Sequence, residues 1–266
     1  MFTAKEYAMP QNLDEAYKIL TAKNTNCILG GCAWLKMGAK RMNTAVDLTE
    51  CNLDYIREID DAIEIGAMTS YRSVETSPLL LDNFSGVLSR CVAPIIGTQF
   101  RNTVTVGGSV YGRFGFSDFL TPLLAMDTTV VLYKAGSVAL ADFMNMPYKK
   151  DIIEKIVIKK NVKTASYQML RNAEADFPIV NLALAVTKRG VRVTVGARSG
   201  KAVVAEKTSQ WLSENLPLKR DSAVIEKAQE LLLEEVKFTS NMRASAEYRA
   251  AMAKVLLSRA ITEVTA

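Results

Sequence analysis

Apolar positions along the chain switch repeatedly between helical and strand spacing. Leu13, Ala16, Tyr17, Ile19 and Leu20 recur near the 3.6-residue period behind Asn12, a residue type suited to an N-cap, so residues 13–20 are predicted to form an early surface helix. Cys27-Ile28-Leu29 is a short apolar strand candidate that ends in Gly30-Gly31, and residues 45–48 and 63–66 form further short strand candidates. Residues 70–81 have the pattern of a capped helix broken near Pro78, where the missing amide interrupts the ladder. Residues 119–126 are an apolar helix candidate, followed by the β-branched strand 128–132 and the strand 156–158.

Beyond the polar break Lys159-Lys160-Asn161 the texture changes. Residues 165–170, 180–186 and 191–197 are predicted as strands, with Lys188-Arg189-Gly190 suiting a hairpin turn, and two long helices follow at 222–236 and 245–263. A run of strands followed by a run of helices predicts a separate α+β domain with its boundary near 160. The fold class is therefore α+β throughout.

Composition narrows the chemistry. The 266 residues, 49% apolar, suffice for two domains or one large one. The 33 basic and 28 acidic residues leave a net charge of +5 without a long like-charge run, so no nucleic-acid partner is expected. Residues 1–10 lack the zones of a signal peptide, and the longest apolar stretches fall far short of the roughly 20 residues that cross a bilayer, so a cytoplasmic, non-membrane protein is expected. Cys27, Cys32, Cys51 and Cys91 contain no CxxC pair, which argues against a zinc or iron–sulfur site and for reduced thiols. The chain has no histidine, which removes Ser-His, Cys-His and HExxH machinery together. No catalytic side chain and no metal site are predicted, and the chemistry is assigned to a cofactor.

Two paired glycines are the candidate cofactor loops. The first stands in Ile28-Leu29-Gly30-Gly31-Cys32-Ala33-Trp34-Leu35, the second in Thr105-Val106-Gly107-Gly108-Ser109, with Asp118 nine residues after Ser109. Paired glycines let successive amides converge with no Cβ in the way, as a pyrophosphate requires, and the Thr and Ser hydroxyls add donors. Neither is a GxGxxG or a P-loop, and either one alone is as well explained by a tight turn. Each follows a strand candidate, and the two together are the stronger signal.

The whole chain resembles the medium, FAD-binding subunits of molybdenum hydroxylases, the xanthine dehydrogenase and carbon monoxide dehydrogenase family. Three blocks carry the resemblance: residues 28–35, Arg101-Asn102 through Thr105-Val106-Gly107-Gly108-Ser109 to Ser117-Asp118, and Ala246-Glu247-Tyr248-Arg249 with Leu257-Ser258-Arg259-Ala260. The resemblance implies a two-part FAD-binding domain over 1–160, with parts about 1–52 and 53–160, and a smaller C-terminal α+β domain over 161–266. It also implies that the amides of Gly30, Gly31, Cys32, Ala33, Gly107, Gly108 and Ser109 hold the pyrophosphate with Thr105. The flanking Ile28, Leu29, Trp34, Leu35 and Val106 complete the loops, and Asp118 binds a ribose or other polar flavin group. Ile95, Ile153 and Gln168 are placed near the flavin by spacing, with packing an equal alternative. The first loop departs from the family's usual GGTDL at Cys32-Ala33-Trp34, so it is expected to work through backbone alone.

Tyr111, Phe114 and Phe116 either cover a flavin or adenine face or pack structurally, and Glu247-Tyr248-Arg249 is expected to be structural. Lys149-Lys150 and Lys159-Lys160 are expected at exposed edges. The implied function is electron transfer: FAD on this chain takes electrons from 2Fe-2S clusters on a small partner subunit and passes them on, with NAD the expected acceptor. The molybdopterin cofactor and substrate hydroxylation belong to a large molybdenum-binding subunit. A free-standing flavoprotein oxidoreductase and a flavin-free scaffold of the same fold are the alternatives.

Overall fold

A computed structural model describes residues 1–266. The chain divides into two compact units that share it in alternation: 1–74, 97–112 and 128–158 form the first, and 75–96, 113–127 and 159–266 the second.

The first unit contains two sheets. β1 (Thr3–Ala8), β2 (Cys27–Leu29) and β3 (Arg41–Asp47) make a three-stranded sheet in the order β1-β3-β2, with both edge strands parallel to β3. Parallel strands need crossovers, and the helices Leu13–Ala22 and Ala33–Met37 supply them. The Asn12 side chain accepts from Glu15 N and caps the first of these, as the sequence predicts. β4 (Ile56–Ile59), β5 (Ala62–Gly66), β6 (Thr128–Leu132), β7 (Gly136–Ala139) and β8 (Ile153–Lys159) form a five-stranded sheet ordered β4-β5-β8-β6-β7.

Three basic residues do more in this unit than face solvent. Lys150, expected at an exposed edge, donates from Nζ to the carbonyls of Leu20 (2.9 Å), Asn26 (3.2 Å) and Lys23, so it closes the carbonyl end of the helix Leu13–Ala22. Lys155 on β8 and Arg57 on β4 both reach the buried Glu64 of β5. Burial pushes the Glu64 carboxyl up, but the hydrogen bonds from Lys155 and Arg57 outweigh it and hold the group below its ordinary range. A carboxylate lowered in the native state stabilises the fold above its unfolded-state value and loses that contribution as pH falls through the native one. Lys155→Met is accordingly expected to cost about 1–3 kcal/mol at neutral pH in urea unfolding. The gap to the wild type should narrow as pH drops below the ordinary carboxylate range; a gap that stayed constant with pH would refute the pairing.

The second unit is built on an antiparallel sheet of β9 (Val162–Arg171), β10 (Pro178–Thr187), β11 (Gly190–Gly196) and β12 (Val203–Val204), ordered β12-β11-β10-β9. β10 is buried along nearly its whole length, so both of its faces are covered. Val180, Leu182, Leu184 and Val186 point with Val191, Val193 and Val195 into a core closed by Leu212, Leu232, Leu257 and Ile261 from the helices Glu206–Glu214, Ser222–Glu235 and Ala246–Val264. Asn181, on the alternate parity, accepts from Thr121 Oγ1 at 2.9 Å, and Thr194 Oγ1 donates to Thr121 O at 2.8 Å. The helix Leu120–Ala125 that carries Thr121 therefore belongs to this sheet, although it lies well before position 160 in the chain. No helix of the chain is long and apolar enough to cross a membrane.

Candidate functional site

The first glycine pair stands where β2 ends. β2 is a parallel strand running into the helix Ala33–Met37, and Cys32 makes the turn between them in the left-handed conformation (φ 58°, ψ 11°). The first helical hydrogen bond runs from Lys36 N to Cys32 O at 2.9 Å, so the amides ahead of it have no acceptor within the helix. The end of a parallel strand facing the start of a helix is a general anion-binding arrangement. The Cys32 thiol donates to Gly30 O at 3.1 Å, and burial pushes its pKa up, so it braces the loop as a neutral group.

The second pair is different from the predicted loop after a strand. The backbone forms an isolated bridge between Ser70 and Thr105, and Gly107 and Gly108 lie in the helix Val106–Gly112. This segment is fastened to residues 67–71 by Tyr71 N to Val104 O (2.8 Å), Val106 N to Thr69 O (2.9 Å) and Gly107 N to Ala67 O (2.7 Å). The Gly107 amide, expected to face a phosphate, is thus spent on Ala67, and the residue's contribution is close packing: a Cβ there would stand 2.7 Å from that of Ala67. Ser109 likewise turns both its amide and its hydroxyl to Thr105 O, each at 3.0 Å.

Thr105 joins the two pairs. Its Oγ1 accepts from Gly31 N at 3.3 Å and from Gly108 N at 3.2 Å, which leaves its own proton to be donated. A Cβ on Gly30 would lie 2.9 Å from that oxygen and 3.4 Å from Gly108 Cα, and one on Gly31 would lie 1.5 Å from Thr103 O. The two backbones approach so closely that Gly31 cannot carry a side chain and Gly30 and Gly108 face each other across the Thr105 hydroxyl, so amides, a hydroxyl and bare Cα atoms line the result. The resulting cradle is a recess that no side chain fills, with the Thr105 proton as the donor it presents to an anion.

The cradle yields a direct expectation for Thr105→Val. The shape is kept, the shared acceptor and the outward donor are lost, and FAD affinity should fall about tenfold or more, while Thr105→Ser should hold close to the wild type. Fluorescence titration of the apo chain with FAD reads both, and equal affinity in the valine variant would refute the role of the hydroxyl.

Other predicted site residues fall into two groups. Ile28 and Leu29 are half-buried in β2, and Val106 is fully buried in the first unit. Ile153 opens β8, and its neighbour Glu154 accepts from Ala67 N at 2.9 Å, one residue's two hydrogen bonds away from Gly107. Ile95, Asp118 and Gln168 belong to the second unit, and the cradle as described is built without them.

The side chains of Asp118 and Gln168 are already engaged there. Asp118, 5% exposed, accepts from Tyr167 Oη at 2.5 Å and pairs with Arg171 at 2.8 Å. Burial pushes its carboxyl up against the opposing pull of Arg171 and the Tyr167 hydrogen bond, and it drives the Tyr167 phenol well above its ordinary value. Gln168 Nε2 donates to Glu263 at 2.7 Å and to Ser166 Oγ at 3.0 Å. The partners Tyr167, Arg171 and Glu263 lie 49 residues or more from their targets in sequence, and no local spacing marks them. Of the aromatics, Phe114 stacks on Phe116 at 5.2 Å, Phe116 meets Phe177 at 4.4 Å, and Tyr111 meets Tyr148 at 5.6 Å.

Comparison with known proteins shows the family. Residues 2–160 match the family described as the FAD binding domain in molybdopterin dehydrogenase, and residues 165–264 match the CO dehydrogenase flavoprotein C-terminal domain. The chain is 25% identical to the glyceraldehyde dehydrogenase medium chain of Sulfolobus acidocaldarius, over 97% of each. It is 24% identical to the nicotine 6-hydroxylase medium subunit of Paenarthrobacter nicotinovorans, over 99% of this chain and 98% of that one. Among solved structures, a chain of the cyanide-inactivated Cu,Mo-CO dehydrogenase superposes with a TM-score of 0.90 at 21% identity, covering 100% and 99% of the two chains. A chain of quinoline 2-oxidoreductase from Pseudomonas putida 86 gives 0.89 at 20%, covering 100% and 98%.

Proposed function

Since the chain belongs to the family of FAD-binding subunits of molybdenum-containing dehydrogenases and hydroxylases, we propose that it works as the electron-transfer flavin subunit of such a complex, with NAD as the acceptor. The observation that supports this most directly is the Thr105 hydroxyl joining two side-chain-free glycine pairs into one cradle.

In this reading the amides of Gly30, Cys32 and Ala33 at the helix start receive one part of the FAD pyrophosphate, while Gly31 gives its amide to Thr105. Thr105 donates its own proton to the other part, and Gly108 leaves room for it. Gly107 and Ser109 hold the second segment of the cradle in shape through Ala67 O and Thr105 O. The neutral Cys32 thiol adds no negative charge beside the phosphates. Bound FAD supplies a group that takes electrons singly and releases them as a pair, which suits a junction between iron–sulfur clusters and a nicotinamide. The partners are then a small iron–sulfur subunit and a large molybdenum-binding subunit.

Purified chain is expected to be yellow, with about one FAD bound per chain. NADH should bleach the visible flavin absorbance of the assembled complex, and copurification with metal analysis should return molybdenum and iron. A colourless chain that does not take up FAD would establish the scaffold alternative instead, and a flavin reduced by an organic substrate without partner chains would establish the free-standing enzyme.

A further inference from the structure

β3 ends beside the first glycine pair, and its last residue is an acid. Leu29 of β2 and Asp47 of β3 are register partners in a parallel ladder, where neighbouring strands lie about 4.8 Å apart, and Gly30 follows Leu29 directly. Asp47 therefore stands at the carboxyl edge of the sheet next to the cradle, within the same unit. The chain reaches it through a strand, a glycine turn, a helix and a parallel neighbouring strand. That is the order in which dinucleotide-binding βαβ units set a carboxylate on the nucleotide ribose, although the glycine spacing here is not theirs.

The Asp47 side chain is held from two directions. Thr49 donates to Oδ1 from its amide at 2.9 Å and from its hydroxyl at 2.6 Å, and Tyr7 on β1 donates its phenol proton to Oδ2 at 2.6 Å. Burial pushes the carboxyl up, but the bonds from Thr49 and Tyr7 outweigh it and hold the group below its ordinary range. The same bond to Asp47 pushes the Tyr7 phenol up, so Tyr7 stays the donor. A carboxylate has about four acceptor positions, so Oδ2 keeps room for a further donor, and the Tyr7 oxygen, having given its proton, still accepts. Tyr7 is 62% exposed, which leaves this edge open.

The cradle and this edge ask for opposite chemistry. The Thr105 proton suits a phosphate oxygen, whereas Asp47 and Tyr7 offer acceptors alone and repel one. Two acceptors fixed side by side select two hydroxyls fixed side by side, as on a ribose ring, and in a nucleotide that ring is joined directly to the phosphate. On the basis of the flavin reading above, we propose that Asp47 and Tyr7 bind the vicinal hydroxyls of the adenosine ribose of FAD.

The test is fluorescence titration of the apo chain with FAD and with FAD analogues that lack the 2′- or the 3′-hydroxyl of the adenosine ribose. The wild type should bind at least one analogue about tenfold or more weaker than FAD, as loss of a hydrogen bond to a charged group requires. Asp47→Asn keeps the size and an oxygen for Thr49 but exchanges an acceptor for a donor, so it should weaken FAD binding about tenfold and bind FAD and the analogues alike. The wild-type comparison needs no variant and stands whatever Asp47→Asn does to the fold, which its melting temperature reads. Equal affinity of the wild type for all three dinucleotides would overturn the ribose site while leaving the flavin reading in place. An Asp47→Asn chain that melts like the wild type and keeps its preference would do the same. A chain that takes up none of the three would overturn the flavin reading and the ribose site with it.

Discussion

Replacing Gly108 with valine is expected to give a folded chain that no longer retains FAD. A Cβ at this position meets only the Thr105 hydroxyl, at 3.0 Å, and comes within 4.0 Å of Gly30 Cα, so the side chain occupies the space between the two glycine pairs without striking backbone. The valine methyls then stand where the pyrophosphate oxygens are proposed to lie. An affinity loss of at least about 100-fold, equivalent to roughly 2.7 kcal/mol, follows. The neighbouring glycines behave otherwise. Alanine at Gly31 would put its Cβ 1.5 Å from Thr103 O, and valine at Gly107 would drive into Ala67, so those variants should lose more than about 3 kcal/mol of stability before flavin affinity is measurable. FAD stoichiometry after gel filtration, set against the urea midpoint of the same sample, distinguishes the two behaviours. A Gly108→Val chain that melts like the wild type and stays yellow would remove the cradle from the proposed flavin site.

Arg249→Leu is expected to have the largest effect on stability of any single substitution in the second unit, about 3–5 kcal/mol in urea unfolding. The guanidinium is almost wholly buried and donates to Ile179 O at the start of β10, to Ala197 O at 2.6 Å just beyond β11, and to Asn241. Burial lowers its pKa, yet an arginine stays charged at any accessible pH. Removing it takes this donor from two backbone carbonyls and leaves Asn241 Oδ1 with Arg243 N alone. Arg249→Lys should recover little, because a single ammonium on a flexible stem cannot span acceptors that the planar fork reaches from two nitrogens. A loss below about 1 kcal/mol would mean that these carbonyls find water. The Glu247-Tyr248-Arg249 block is thus structural, as its position opening the last helix suggests, and Arg249 supplies the reason.

Much of the element content was legible in the residues. Asn12, Pro78 and the 188–190 turn mark their elements by chemistry that acts over a few positions, and the structure places the helix Leu13–Ala22, the helix Pro78–Asp82 capped by Ser77, and the β10–β11 hairpin where that chemistry predicts. β1 was missed because its residues are almost all exposed, leaving no apolar alternation to find. The short helices at Val87–Val92, Thr98–Thr103 and Leu140–Asn145 were missed because six residues span fewer than two turns of periodicity.

By itself the sequence determined the identity of the glycine pairs, the lack of histidine chemistry and the two-part family pattern, because each depends on which residues are present and how far apart they stand. Only the tertiary structure decided which amides of the Gly30-Gly31 and Gly107-Gly108 pairs remain for a ligand. Gly107 gives its amide to Ala67, and Thr105 collects those of Gly31 and Gly108 across 74 and 3 positions. A hydrogen-bond partner is chosen by proximity in space, and the chain brings those atoms together through sheets and crossovers whose register no local pattern records.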